Sequence, residues 1–266
     1  MPAETLPATR FILIEPSHAG NVGATARAMK VMGFDDLVLV RPRWPDVLQR
    51  EETIQRASGA DDVLAAARCV QTLDAALDGM THLCATVMTP RDFGPPTFAP
   101  REHFARLLEK APDVPQGVAL LFGCERFGMS NQDVYRCHAA LSIPTVGNYG
   151  SLNLAAAVQL IAYDWRQALT VRFGSENQEK NIRNSKIRPE NTPADAQQLA
   201  AMLDHWQRAL IDIDFLDPAA PRKLMPRLHQ LFARASITQA ELHILRGIAR
   251  AMQKAAASGT PEVSGV

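Results

Sequence analysis

Long hydrophobic runs are missing from this 266-residue sequence. Nowhere do about 18 apolar residues follow one another, so no membrane-spanning helix is expected. Met1 to Arg10 lacks the basic and apolar regions of a secretory signal, and a cytoplasmic protein is the expectation. Cysteine is scarce. Cys69, Cys84, Cys124 and Cys137 fall at no Cys-x-x-Cys-like spacing and mark no cluster with histidines, so no metal site is expected and the thiols read as reduced and buried or half-buried. Excess charge of either sign is absent too: 28 Lys and Arg stand against 28 Asp and Glu, which at first argues against a nucleic-acid binder.

The distribution of charge says more. Residues 1–165 hold 14 Lys/Arg and 18 Asp/Glu, whereas residues 166–266 hold 14 and 10. Between Pro218 and Lys254 the cations are Arg222, Lys223, Arg227, Arg234, Arg246, Arg250 and Lys254, with Glu241 the sole acid. Such a surface suits a polyanion, because each cation at a phosphate releases counterions. A solvated basic face on a helical bundle is the plainer alternative.

Composition is otherwise that of an ordinary globular protein, long enough for one large domain or one domain with an extension. Apolar runs at Phe11–Ile14, Leu37–Val40, His82–Thr86, Val118–Phe122 and Ala139–Ile143 predict strands. Helical patterns separate them near Val22–Met32, Asp61–Ala67, Leu73–Asp78, Arg101–Glu109 and Gln132–Cys137. Alternation of this kind predicts an α/β fold with a parallel sheet covered by helices on both faces. A long apolar helix is expected over Leu154–Leu169, with Ser151 placed as its N-cap.

Arg172–Thr192, almost devoid of apolar side chains, reads as an exposed linker. Three helical segments follow, Pro193–Ile211, Pro221–Ala235 and Thr238–Ala255. Pro193 suits a first helical turn, and Thr238-x-x-Glu241 is a capping-box pattern. The expected organisation is a domain over 1–171, a linker over 172–192, a small all-α extension over 193–255 and a frayed tail over 256–266.

Three segments carry the chemistry. Asn21-Val-Gly23-Ala-Thr-Ala-Arg27 follows the first strand, where glycines ahead of a helix let a ligand approach the backbone. A dinucleotide turn is excluded, because Gly20-x-x-Gly23 lacks the G-x-G-x-x-G register and the second strand ends in Val40-Arg41 rather than an acid. The second segment is Phe122-Gly123-Cys-Glu125-Arg-Phe-Gly128-Met-Ser-Asn131; the third is Ile143-Pro144 with Ser151-Leu152-Asn153. In order, spacing and strand-then-loop placement, the three together resemble the SpoU/TrmH branch of the SPOUT RNA methyltransferases. Similarity to the members that act on the tRNA anticodon loop extends through Pro221-Arg222-Lys223-Leu-Met225 and Arg246-Gly247-Ile248, so it covers roughly residues 9–254.

That resemblance implies an α/β domain with a C-terminal trefoil knot, S-adenosylmethionine as cofactor, a homodimer, and 2′-O-ribose methylation of RNA. The implied substrate is tRNA, at cytidine or uridine 32. Ribosomal RNA, or a catalytically silent RNA-binding relative, are the alternatives. By position, the adenosyl slot would use Thr86, Val87, Met88, Gly123, Ile143, Ser151, Leu152 and Asn153. At Gly123 a side chain would block a flat ligand; a tight turn is the other reason for glycine there.

Arg27, expected on the inner face of the first helix, would grip the target phosphate or 2′-oxygen, because a guanidinium is effectively always charged. An ion pair with Glu125 is the structural alternative. Ser151 and Asn153 would join Arg27 as catalytic residues, Ser151 contacting ribose or cofactor unless it only caps the helix. Asn21, Asn131 and Glu125 would brace loops. Arg91 falls where the pattern has an RNA-facing arginine. Cys124 stands where arginine is usual, and Val146-Gly-Asn-Tyr-Gly150 replaces the commoner Asn-Pro-Glu-Tyr-Ser, which bears on substrate preference.

Overall fold

The structure, a computed structural model, describes residues 6–109, 115–146, 150–174, 192–220 and 222–258. Seven strands form one sheet in the order β3-β2-β1-β6-β4-β7-β5, every pairing parallel: β1 (Ala8–Ile14), β2 (Asp36–Val40), β3 (Arg68–Val70), β4 (His82–Thr86), β5 (Thr97–Phe98), β6 (Gly117–Phe122) and β7 (Ala139–Leu141). Successive side chains alternate between two cores, as the pleat requires. Phe11, Leu13, Leu120 and Phe122 join one; Ile12, Ile14, Ala119 and Leu121 join the other. Because both faces are buried, the strands are apolar throughout rather than at every second residue.

The first core is closed by α1 (Ala19–Val31), α5 (Pro100–Glu109) and α7 (Leu154–Phe173), which contribute Met29, Phe104, Ile161 and Trp165. The second is closed by α4 (Leu73–Leu77) and α6 (Asn131–Tyr135), and by Ala196 at the start of α8 (Ala196–Asp212). Two short helices, α2 (Glu51–Ala57) and α3 (Asp61–Ala66), follow β2. With α8, α9 (Leu224–Ala235) and α10 (Gln239–Ser258) enclose a third, small core of Met202, Leu203, Phe232, Ile237 and Leu242. No helix among the described residues is long and apolar enough to cross a membrane.

Local differences from the sequence reading have physical causes. β3, β5 and α2 were not anticipated. Pro193 does not open a helix: it bridges to Thr238, and α8 starts behind Asp195, whose carboxylate accepts from Gln198 N at 2.7 Å in a capping box. The box expected at Thr238 is present, with Thr238 N donating to Glu241 Oε2 at 2.7 Å. Ser151 is exposed and is not the cap of α7; Asn153 is, accepting from Ala155 N at 3.0 Å. α7 continues through Arg172 and Phe173, and most of the expected linker, 175–191, lies outside the described residues, as does most of the expected tail.

Candidate active site at the carboxyl edge of the sheet

The sheet changes winding direction between β1 and β6: β2 and β3 lie outward of β1, and β6, β4, β7 and β5 lie on its other side. Loops leaving two such neighbours diverge and open a crevice at the carboxyl edge. All three motif segments leave strands at this edge, after β1, β6 and β7.

They meet in one directional chain of hydrogen bonds. Ala155 N donates to Asn153 Oδ1 at 3.0 Å, Asn153 Nδ2 to Asn21 Oδ1 at 2.8 Å, and Asn21 Nδ2 to Glu125 Oε1 at 2.8 Å. The other carboxylate oxygen accepts from Ser17 N and Ser17 Oγ, both at 2.8 Å. Every bond points the same way, from the first turn of α7 to a carboxylate, so each link polarises the next. Chain segments more than a hundred residues apart are joined here.

Burial of Glu125 opposes its charged form, but donation by the Asn21 amide and by the Ser17 N–H and hydroxyl outweighs it and holds the carboxyl at about 2 rather than 4.5. A value depressed in the folded state means stability that is complete above the unfolded value and lost as pH falls through the folded one. Glu125→Gln is therefore expected to lower the urea midpoint at neutral pH, with the gap to the parent closing as pH falls from 4.5 toward 2. A gap independent of pH would contradict this account.

Beside that chain lie the residues expected to form the adenosyl slot. Thr86 ends β4, and its Oγ1 is buried without a hydrogen-bond partner among the described residues. Val87 N donates to Leu141 O at 2.9 Å, and Met88 O accepts from Ser142 Oγ at 3.3 Å, which fixes the strand ends against each other. The Met88 and Leu152 side chains are exposed, Ile143 is half-buried against the core, and Gly150 passes close to Thr145 and Met88. An orphaned buried hydroxyl beside exposed apolar side chains fits a ligand with both polar and apolar surface, as an adenosyl group has. Residues 147–149, which carry most of the unusual loop sequence, lie outside the described set.

The motif glycines also answer to packing. A Cβ on Gly123 would lie 2.3 Å from Gly128 C and 2.4 Å from Met129 N, so the tight loop closed by Cys124 and Gly128 itself demands glycine. Cys124, half-buried, makes the backbone pairing of that loop. Gly20 and Gly23 do not precede the helix; both are inside α1, and Gly23 faces the backbone of α2.

Arg27 is exposed on α1 rather than on its inner face, and among the described residues it makes no hydrogen bond or ion pair, with Glu125 or any other acid. Asn131 is exposed in the first turn of α6 and braces no described loop. Ser17, which joins this network through Glu125, has no place in the sequence reading; its position at the end of a strand–Pro turn was the available signal.

Of the basic residues, Arg222, Lys223, Arg227, Arg234 and Arg250 are exposed and Arg246 is half-buried. Arg246, Arg250 and Lys254, four residues apart, form one row along α10. Lys223 Nζ lies 3.7 Å from the centroid of the Phe93 ring, which joins the start of α9 to the loop carrying Arg91. Arg91 is half-buried, with Nε enclosed and without a described partner.

Against this geometry, the SpoU rRNA methylase family matches residues 8–163, more than half of the chain. The chain belongs to the SpoU methylase family. Beyond its methylase region, residues 197–261 match the family described as the C-terminal domain of the tRNA methyltransferase TrmJ. A curated relative from Pseudomonas aeruginosa, tRNA (cytidine/uridine/adenosine-2′-O-)-methyltransferase TrmJ, is 42% identical over 93% of this chain and 94% of its own length. The crystal structure of TrmJ from Z. mobilis ZM4 matches 93% of this chain and 99% of that one, at 31% identity and a TM-score of 0.74. A probable methylase family protein from Haemophilus influenzae matches 96% and 99%, at 31% identity and a TM-score of 0.56. The SpoU methylase sheet and the helical extension of this chain therefore occur together in its relatives.

Proposed function

We propose that this chain transfers a methyl group from S-adenosylmethionine to a ribose 2′-hydroxyl of tRNA, at cytidine or uridine 32. The observation that carries the reading is the hydrogen-bond chain through Asn153, Asn21 and Glu125, which ties all three family motifs together at the carboxyl edge of the sheet. The relatives are named as tRNA 2′-O-methyltransferases, which supports the substrate.

Thr86, Val87, Met88, Gly123, Ile143, Ser151, Leu152 and Asn153 hold the cofactor in this reading, mostly through backbone groups and apolar walls. When bound, S-adenosylmethionine supplies the electrophilic sulfonium methyl. Arg27 holds the target phosphate or 2′-oxygen and stabilises the negative charge that develops on that oxygen. Ser151 contacts the ribose or cofactor. Asn153 is placed by its two bonds, so it orients rather than exchanges protons.

Residues 1–171 form the methyltransferase domain in this proposal, 172–192 the linker and 193–255 the RNA-binding extension. The knotted path of the segment after β7 belongs to the same proposal. So does a homodimer, which one feature of α7 supports: Ala156, Leu160, Tyr163, Gln167 and Val171 are exposed along one stripe, although the opposite face already fills the core. A helix apolar on both sides calls for cover on both.

Methyl-labelled cofactor with tRNA transcripts, followed by mapping of 2′-O-methyl groups, tests the activity. Label at pyrimidine 32 is expected. Label in ribosomal RNA alone would move the substrate, and binding of cofactor and tRNA without transfer would make the chain a silent relative. Reversing Arg246 and Arg250 to Glu is expected to weaken tRNA binding on the order of tenfold or more and to flatten its salt dependence, with cofactor binding unchanged. Unchanged filter binding at physiological salt would remove α10 from the interface.

A further inference from the structure

Two residues before Thr86, β4 carries a second polar cluster for which the methyl transfer has no use. His82 and Cys84, two apart on the strand, project to the face covered by α5, and His103 sits in the first turn of α5. Cys84 is fully buried, His103 is buried and His82 is half-buried. The separation of the cysteines from histidines expected along the sequence does not survive folding. One ligand atom from each of the three lies within 4.8 Å of the other two.

The spacing is more specific than proximity. His82 Nε2 is 3.1 Å from His103 Nε2, and Cys84 Sγ is 3.5 Å from the same nitrogen. Around a tetrahedral zinc ion, with Zn–N about 2.0–2.1 Å and Zn–S about 2.3 Å, neighbouring nitrogens stand about 3.3 Å apart and sulfur and nitrogen about 3.6 Å. These two edges, which are also hydrogen-bond contacts, are close to those of a coordination tetrahedron, and the His82–Cys84 edge, within 4.8 Å, closes as the ion binds. The rings are also held from outside: His138 packs on His82 with centroids 4.8 Å apart, and Phe98 stacks on His103 at 5.3 Å. His138 is a wall rather than a ligand, because its Nδ1 accepts from Leu83 N at 3.0 Å, which leaves the proton of the neutral ring on Nε2. Three polar side chains on an interior strand and a packed helix, held by the rings of His138 and Phe98, have the preorganisation that a metal site needs.

We propose that His82, Cys84 and His103 bind a borderline transition-metal cation, Zn2+, through Nε2, Sγ and Nε2, with the fourth position left to water. One thiolate and two imidazoles match the N/S preference of zinc. Binding forms one Zn–S and two Zn–N bonds and releases the Cys84 thiol proton to solvent. The ion would clamp α5 to the first half of β4.

The test uses the full-length chain, stripped with chelator and titrated with Co2+, then with Zn2+. One Co2+ per chain is expected, with thiolate-to-cobalt charge-transfer absorption that Zn2+ abolishes, and with a thermal midpoint raised by either ion. Cys84→Ser should lose the charge-transfer band. Since that change places a hydroxyl in the core, His82→Gln, at a half-buried position, serves beside it and should bind Co2+ about tenfold more weakly or worse. Cys69→Ser, at an exposed thiol, should change nothing. A folded parent with no charge-transfer band, a band that survives both Cys84→Ser and His82→Gln, or a band lost in Cys69→Ser would each overturn the proposal.

Discussion

Arg27→Ala is expected to lower methyl transfer to tRNA by about 10²–10³-fold while leaving cofactor binding and the unfolding midpoint close to those of the parent. The size is that of losing one charged group aimed at developing negative charge. The unchanged midpoint follows from the exposure of Arg27 and its lack of a described partner, because surface positions without a bonded role rarely move stability by more than about 0.5 kcal/mol. Arg27→Lys should recover little, since a single ammonium does not reproduce a planar fork of donors. Single-turnover transfer, isothermal cofactor binding and urea unfolding measured on the same preparations separate these effects. Near-normal turnover in Arg27→Ala would sink the catalytic assignment, and a large drop in midpoint would make the residue structural.

Gly23→Ala is expected to show the opposite pattern, a loss of stability with activity following it. A Cβ on Gly23 would lie 1.9 Å from the carbonyl oxygen of Thr53 and 2.8 Å from its carbon. These are backbone atoms of α2, and α2 has little freedom to retreat, because buried Thr53 Oγ1 donates its single proton to Val47 O at 2.6 Å and lies 3.1 Å from Ala19 O. Overpacking against a fixed backbone costs about 1–3 kcal/mol or more. Displacing α1 also moves Asn21 and hence the bonds to Glu125 and Asn153. Gly247→Ala is the matched control: nothing lies within 4 Å of a Cβ there, and alanine in an exposed helix should be neutral or stabilising by about 0.5–1 kcal/mol. Equal urea midpoints for the two variants would refute the packing argument.

These two residues also show where sequence reasoning succeeds and stops. β1, β2, β4, β6 and β7 were legible because strands buried on both faces are apolar runs. β3 and β5 were not, because three and two residues at the rim of a sheet leave no pattern to read. α2 buries only Thr53 and Ala57 of seven residues, too little for a helical stripe. Gly23 was legible as a constrained glycine but not as a contact with α2, because the partner lies on an element that was itself invisible.

At the head of α7, Ser151 and Asn153 are both good caps by chemistry. The choice of Asn153 comes from tertiary structure, since the same amide also bonds Asn21. Glu125 was readable as a brace, but its partner Ser17 stands 108 positions away and shares no local signal with it. His82, Cys84 and His103 converge only because a pleat and a helix start coincide.

The small core of α8, α9 and α10 has a consequence of its own. Ala194 N donates to Ile237 O and Gln239 N to Thr192 O, both at 2.8 Å, so the starts of α8 and α10 are stapled to each other, while Ala196 N reaches Met80 O at 2.9 Å across to the sheet. A large core and a small one, joined through α8 on α4 and α9 on α6, are expected to melt as separate cooperative units. The three helices open first, at a smaller free energy, and amide exchange there runs ahead of exchange in β1, β4 and β6. Heating this protein is therefore expected to trace two events, the release of a helical foldon and the later collapse of the sheet that it leaves behind.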